Sequence, residues 1–154
     1  IDLSKEKNTF KKANMVKEKL TWLHIEFPID RVLIEQNLQS FRSGFSSAQT
    51  LSTLARFNGI VSYLCYEEFS LTPEFINVNH ARKSLGIKTK RKKDGGAPIK
   101  EQIFDWVSSS QDLKEYAWPT KTLKSGPRRG QIILDPRCYD MADAYVIAKS
   151  GHTI

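Results

Sequence analysis

Short apolar runs alternate along this chain with longer stretches whose apolar residues recur every three or four positions. Val32, Leu33 and Ile34 form one run, Phe75, Ile76 and Val78 a second, and Ile132, Ile133 and Leu134 a third. Between the first two lies a charge-poor stretch, residues 46–68, with Ala48, Leu51, Ala55, Val61, Leu64 and Cys65 on its apolar side. Compact apolar runs suit strands, and the three-to-four spacing suits helices. Strands that alternate with helices build a mainly parallel sheet, because each crossover helix has to cover a face. The expected fold is therefore α/β, a mixed and mainly parallel sheet with helices on both faces. No repeat or linker interrupts the pattern, and 154 residues suffice for one core. A single domain over 1–154 is expected.

Local signals place the remaining elements. Residues 1-IDLS-4 read as the end of a strand. Asn8 or Thr9 caps a first helix whose stripe is Phe10, Ala13, Val16, Leu20, Leu23 and Phe27, and Pro28 ends it. Ser46 or Ser47 caps the helix at 46–68. The segment 80-HARKSLGIK-88 reads as a short helix stopped at Gly86, and the glycine-rich loop through 94-DGGAP-98 as mobile. Pro98 opens a helix with Ile99, Ile103, Phe104 and Val107 inward. Residues 108–131 are a long ordered excursion, and the last helix runs from Asp140 to a stop at Gly151.

Charge narrows the partners. The chain carries a formal charge of +7 and a pI near 9.4. Five of the six residues in 88-KTKRKK-93 are basic, and Lys121, Lys124, Arg128 and Arg129 crowd 121-KTLKSGPRRG-130. Such patches attract polyanions, nucleic acid first, although either cluster taken alone reads more readily as a solvated loop. Cys65 and Cys138 lie far apart with no paired cysteine or spaced histidine set, against zinc or a disulfide framework. Two free thiols, no secretory signal and no long apolar run point to an intracellular protein that is neither secreted nor membrane-spanning.

Three carboxylates stand where function gathers in α/β sheets, at strand ends and helix starts. Glu35 ends the Val32–Ile34 run, and Asp140 and Asp143 sit three apart at the start of the last helix, on one face. Each has a plain reading by itself: a helix cap for Asp140, a favourable first-turn charge for Asp143, an ion pair for Glu35. Brought together they would repel one another, and a hard cation resolves that, with Mg²⁺ the default. Two such ions, roughly 3.5–4 Å apart, activate water and stabilise a leaving oxygen in phosphodiester hydrolysis.

Five segments, 28-PIDRVLIEQ-36, 48-AQTLSTLARFNGIV-61, 80-HARKSLGI-87, 98-PIKEQIFDWV-107 and 139-YDMADAYVIAKSGH-152, resemble the RuvC-like branch of the RNase H superfamily. They occur in that family's order and cover most of the chain. The resemblance implies a single RNase H-like nuclease domain that resolves four-way (Holliday) junctions, in DNA recombination and repair. It further implies Glu35, Asp140 and Asp143 as ligands of two Mg²⁺ or Mn²⁺ ions, with no small-molecule cofactor. Lys100 matches a lysine near the scissile phosphate, though it reads equally as a solvated first-turn lysine. Lys83, Lys88, Lys90, Arg91, Lys92, Lys93, Arg128 and Arg129 would hold branched DNA. Phe41 and Phe45 stand where related resolvases place a junction wedge, with packing against the sheet edge the plainer role. A homodimer would match the two-fold character of the junction.

Two departures qualify the match. The family's first catalytic aspartate lies on an opening strand, and Asp2 is not that residue, so the chain as given is expected to lack its N-terminal strand or strands and to be inactive or badly impaired. The 108–131 excursion and the basic loop exceed those of bacterial resolvases and look closer to mitochondrial or large-DNA-virus relatives. A catalytically inactive RNase H-fold binding module, and an RNase H-fold nuclease with another substrate, stay open beside the resolvase. His24, His80 and His152 read as surface or structural residues.

Overall fold

The structure is a computed structural model and describes residues 1–36 and 48–153. Its elements run α1 (Thr9–Glu26), β1 (Leu33–Glu35), α2 (Ala48–Phe69), β2 (Glu74–Ile76), α3 (Val78–Ser84), α4 (Ile99–Ser108), β3 (Thr120–Thr122), β4 (Ile132–Leu134) and α5 (Arg137–Ser150). The class is mixed α/β, as the sequence pattern implies, with helices well in excess of strands. The chain divides into two compact units, Ile1–Asn77 and Val78–Ile154.

In the first unit, Asn8 caps α1: its side-chain oxygen accepts the N–H groups of Phe10 and Lys11. Two donors of the helix start are thereby satisfied. Residues 1-IDLS-4 are not a strand. Ser4 N–H turns back onto Asp2 Oδ1 at 3.0 Å, a local turn that takes the place of a ladder.

α2 packs chiefly on α1. Its charge-poor face implies a sheet as its partner, but each strand of this unit is only three residues long. Val16 and Cys65 are buried, while Phe10, Phe27 and Leu54 of the expected stripes and their surroundings stay exposed. Polar bonds finish the helix pair. Lys17 meets Glu67 at 3.0 Å, and Glu68 accepts from Thr21 at 2.8 Å and pairs with His24 at 3.2 Å. The Thr21 and His24 contacts hold the Glu68 carboxyl below its usual range. His24, which shows no partner in the sequence, thus ties α1 to α2.

β1 and β2 pair in parallel with Leu33 opposite Glu74 and Glu35 opposite Ile76. Together with α2 they form a β–α–β unit, the arrangement that parallel pairing requires. Pro73 has no N–H to donate, so the β2 ladder begins at Glu74, whose N–H reaches Val32 O at 2.9 Å. Arg31 grips the Glu74 carboxylate with Nε at 3.0 Å and Nη2 at 2.8 Å. Val78, expected in this strand, instead opens α3.

The second unit is built around α5, which packs on both α3 and α4. Its buried face is Cys138, Ala142, Val146, Ile147 and Ser150, at three- and four-residue steps. Ala81 of α3 and Ile103 and Val107 of α4 complete this core. Ile99, expected inward, is 45% exposed because it stands at the first position of α4, before the helix meets α5.

α5 starts at Arg137, three residues earlier than the sequence indicates. Gly151 ends it in right-handed rather than left-handed conformation, with its N–H on Ala148 O and Lys149 O. Ile132–Leu134 does form a strand, and it pairs antiparallel with Thr120–Thr122, as a sheet separate from β1–β2. The 108–131 excursion is thus half of a hairpin. Its start is fastened to α5, since Asp112 accepts from Tyr145 Oη and Lys149 Nζ, each at 2.6 Å.

Candidate functional site

Glu35 closes β1 in the first unit with an exposed side chain. It is not the buried carboxylate that the adjoining apolar run implies, since Val32, Leu33 and Ile34 are themselves only half-buried. Its backbone carbonyl accepts from Asn58 Nδ2 of α2 at 3.2 Å, which fixes the strand end to the crossover helix. Phe41 and Phe45 lie outside the described residues.

The second unit carries the other candidates. Asp140 falls in the first turn of α5 and is exposed. Because α5 begins at Arg137, Asp143 lies one turn deeper than expected. It is half-buried, and Arg82 of α3 donates to its Oδ1 through Nη2 at 2.6 Å. One helix face still presents both acids, but the deeper one already holds a cation. Lys100, second residue of α4, lies against α5: its Nζ stands 4.7 Å from the centre of the Tyr139 ring. Tyr139 directly precedes Asp140, so Lys100 is held beside the start of the acid-bearing turn.

Behind Lys100 runs a chain of edge-on aromatic contacts. Tyr116 meets Trp118 at 5.0 Å, Trp118 meets Phe104 at 4.8 Å, and Phe104 meets Tyr139 at 5.9 Å. Edge-to-face pairs of this kind contribute beyond their buried area. They anchor the excursion to α4 and α5 and fix the ring under Lys100.

The basic residues group by element. Arg82 and Lys83 end α3, and with Lys88, Thr89, Asn79 and Ile99 they line a cleft of about 330 Å³. Lys90 and Arg91 lead into a single 3-10 turn over Lys92–Asp94. Gln102 fastens the loop from within α4. Gln102 accepts Lys90 N–H at 2.8 Å and donates to Lys90 O at 2.8 Å and Ala97 O at 2.6 Å. Gly95 takes φ +79°, and a Cβ on Gly96 would collide with the Lys90 carbonyl. The glycines therefore permit a tight, clamped turn that presents its lysines outward. Arg128 and Arg129 occupy the turn joining β3 to β4, closed by Arg129 N–H to Gly126 O and Gly130 N–H to Leu123 O.

Sequence reasoning overlooks Asp135, the buried carboxylate at the foot of α5. It accepts Arg137 N–H and Nε on Oδ1 at 3.0 Å each and Arg137 Nη2 on Oδ2 at 2.7 Å. These Arg137 bonds hold its carboxyl down to about 2. The signal is present in 135-DPR-137: an aspartate two residues before a helix start can take a first-turn N–H on its side chain, and the proline between them favours a helix start. Gln102 and Arg82 carry no comparable mark.

Among the described residues no group of three or more His, Cys, Asp or Glu side chains is placed to hold a metal ion. Asp143 already has the Arg82 guanidinium as its counter-charge. The acids as they stand in the second unit therefore do not form a ready cation site. Comparison with known proteins finds no matching family model, no matching curated protein and no matching solved structure. No helix among the described residues is long and apolar enough to cross a membrane.

Proposed function

We propose that this chain is an RNase H-like, RuvC-like nuclease domain that cuts four-way DNA junctions by phosphodiester hydrolysis. The observation that carries the reading is the convergence on α5. Asp140 and Asp143 share one face of it, Lys100 is braced beside its first turn, and the Arg82, Lys83 and Lys88 cleft lies at α3, which packs on α5. In this reading the exposed cations of the clamped loop and of the β3–β4 turn hold the phosphate backbone, with strong salt dependence. Lys100 sits close to the phosphate to be cut, and Glu35, by the resemblance, is an essential acid, as are Asp140 and Asp143. Dependence on Mg²⁺ or Mn²⁺ rests on the resemblance alone. The site of action is at DNA inside the cell or at a viral replication site, and a homodimer matches the symmetry of the junction. Leu54, Tyr63 and Tyr66 expose apolar surface on α2 for such pairing.

A second reading is a nucleic-acid-binding module on the same scaffold without chemistry. The Arg82–Asp143 ion pair favours it, because a carboxylate neutralised by a guanidinium serves structure. One assay separates the two. The full-length protein is incubated with synthetic four-way junctions, flaps, duplex and RNA–DNA hybrid, with Mg²⁺ or Mn²⁺, beside Glu35→Gln and Asp143→Asn. The nuclease reading expects cutting of the junction that both substitutions abolish; cutting that survives them overturns it. Tight junction binding without cutting is the outcome of the second reading, and preferential cutting of the hybrid assigns a different substrate.

A further inference from the structure

Arginine side chains in this protein meet carboxylates in two ways. Arg31 and Arg137 each approach side-on, placing Nε and Nη2 on the two oxygens of one carboxylate. Arg82 approaches Asp143 through Nη2, and its Nε is buried without a hydrogen-bond partner among the described residues. A guanidinium is a rigid fork of donors that suits bidentate contact with carboxylate or phosphate. A buried donor left unused costs free energy. The Arg82–Asp143 pair is thus a half-made contact, on a side chain that also lines the 330 Å³ cleft. Lys83 and Lys88 add positive charge to that cleft, and Asn79 and Thr89 add polar groups.

We propose that this cleft seats a backbone phosphate diester and that Arg82 is shared between the phosphate and Asp143, so that filling the seat uncovers the Asp143 carboxylate. The proposal rests on the nucleic-acid reading above and adds a coupling to it. In the free protein Arg82 neutralises Asp143 and keeps its half-buried charge paired. An arriving phosphate offers the guanidinium a second anion, beside two lysines. Asp143 then becomes available only when nucleic acid is in place. Arg82 acts here as a positioning residue and touches no reacting atom.

The test measures binding of a short thymidine oligonucleotide by fluorescence anisotropy at low salt, with inorganic pyrophosphate as competitor. The variants are Asp143→Asn, Arg82→Gln, Arg82→Lys and the double substitution Arg82→Gln with Asp143→Asn. Releasing Arg82 by Asp143→Asn tightens the oligonucleotide roughly threefold or more, and Arg82→Gln weakens it by a similar factor. The double variant binds like Arg82→Gln alone. If Asp143→Asn tightens binding equally in the Arg82→Gln background, the effect is general charge and the coupling is overturned. Should Arg82→Gln fail to fold by circular dichroism, Arg82→Lys takes its place. It keeps the charge but not the fork, so the gain from Asp143→Asn must shrink, and an undiminished gain overturns the proposal. Oligonucleotide binding indifferent to Arg82 refutes the seat and leaves the nucleic-acid reading standing. Arg82-dependent pyrophosphate binding, read directly by titration calorimetry, without oligonucleotide binding overturns the diester seat and ends the nucleic-acid reading.

Discussion

Asp135 and Arg137 close on each other across the first turn of α5, the carboxylate of one taking both the backbone N–H and the guanidinium of the other. The bonds are local, but their consequence is not. α5 is the element on which α3 and α4 pack, and it carries Asp140 and Asp143. The foot of this helix therefore sets the position of the acids that the second unit brings to the candidate site.

The Asp135 carboxyl lies at about 2, below its ordinary 3.8, held there by Arg137. A carboxyl depressed in the folded state contributes stability that is present above the ordinary value and lost as pH falls toward the folded one. Unfolding by urea, followed by circular dichroism between about pH 5 and pH 2, shows the loss. Wild-type stability falls across the window between 3.8 and about 2, and Asp135→Asn flattens the fall while lowering stability at neutral pH. An unchanged slope in Asp135→Asn removes Asp135 from the account of acid sensitivity.

Gln102 is the latch of the basic loop. Its amide meets Lys90 on both backbone groups and reaches Ala97 O. Replacing it by Ala removes these bonds at an exposed site, a cost of about 1–2 kcal/mol. The local effect is larger than the global one. Hydrogen exchange at the Lys90 amide accelerates well before the α5 amides respond. Gln102→Glu keeps the acceptor for Lys90 N–H but cannot donate to either carbonyl, and falls between wild type and Gln102→Ala.

Lys90, Arg91, Lys92 and Lys93 present charge on that latched turn. On the proposed nucleic-acid reading, substituting all four by Gln weakens binding to unrelated DNA sequences to the same degree, since phosphate contacts carry no base identity. The slope of log affinity against log salt becomes shallower by about 0.9 for each phosphate of duplex DNA that the variant no longer neutralises. Weakening confined to one sequence assigns these residues to base readout instead.

What the sequence makes legible is local and periodic. Asn8 as a cap, Gly86 as a stop, the strand at Ile132–Leu134 and the buried steps Ile103 and Val107 all follow from spacing and residue type. What it conceals depends on partners distant in the chain. Nothing near Gln102 announces that it will clamp a loop twelve residues upstream, and nothing near Arg82 announces Asp143, sixty-one residues away. A glycine-rich basic loop reads as slack until the residue that fastens it is known. The Glu35 puzzle has the same origin. An apolar run followed by a carboxylate looks like a buried charge only if the run itself is buried, and a two-stranded ladder leaves it half-exposed.

Ile99 and Ile103 turn that distinction into a measurement. They lie four apart on α4, and periodicity assigns both inward. In the folded protein Ile103 is 1% exposed and Ile99 is 45% exposed. Truncating Ile103 to Ala leaves a cavity against α5 and costs about 2–5 kcal/mol. The same change at Ile99 costs under about 0.5 kcal/mol, as expected for an exposed position. Ile99 also lines the basic cleft, so if that cleft seats a phosphate as proposed, its effect surfaces in oligonucleotide affinity rather than in the melting curve. Equal destabilisation by the two substitutions in denaturant unfolding would mean that the first turn of α4 is buried, and the cleft closed, in solution.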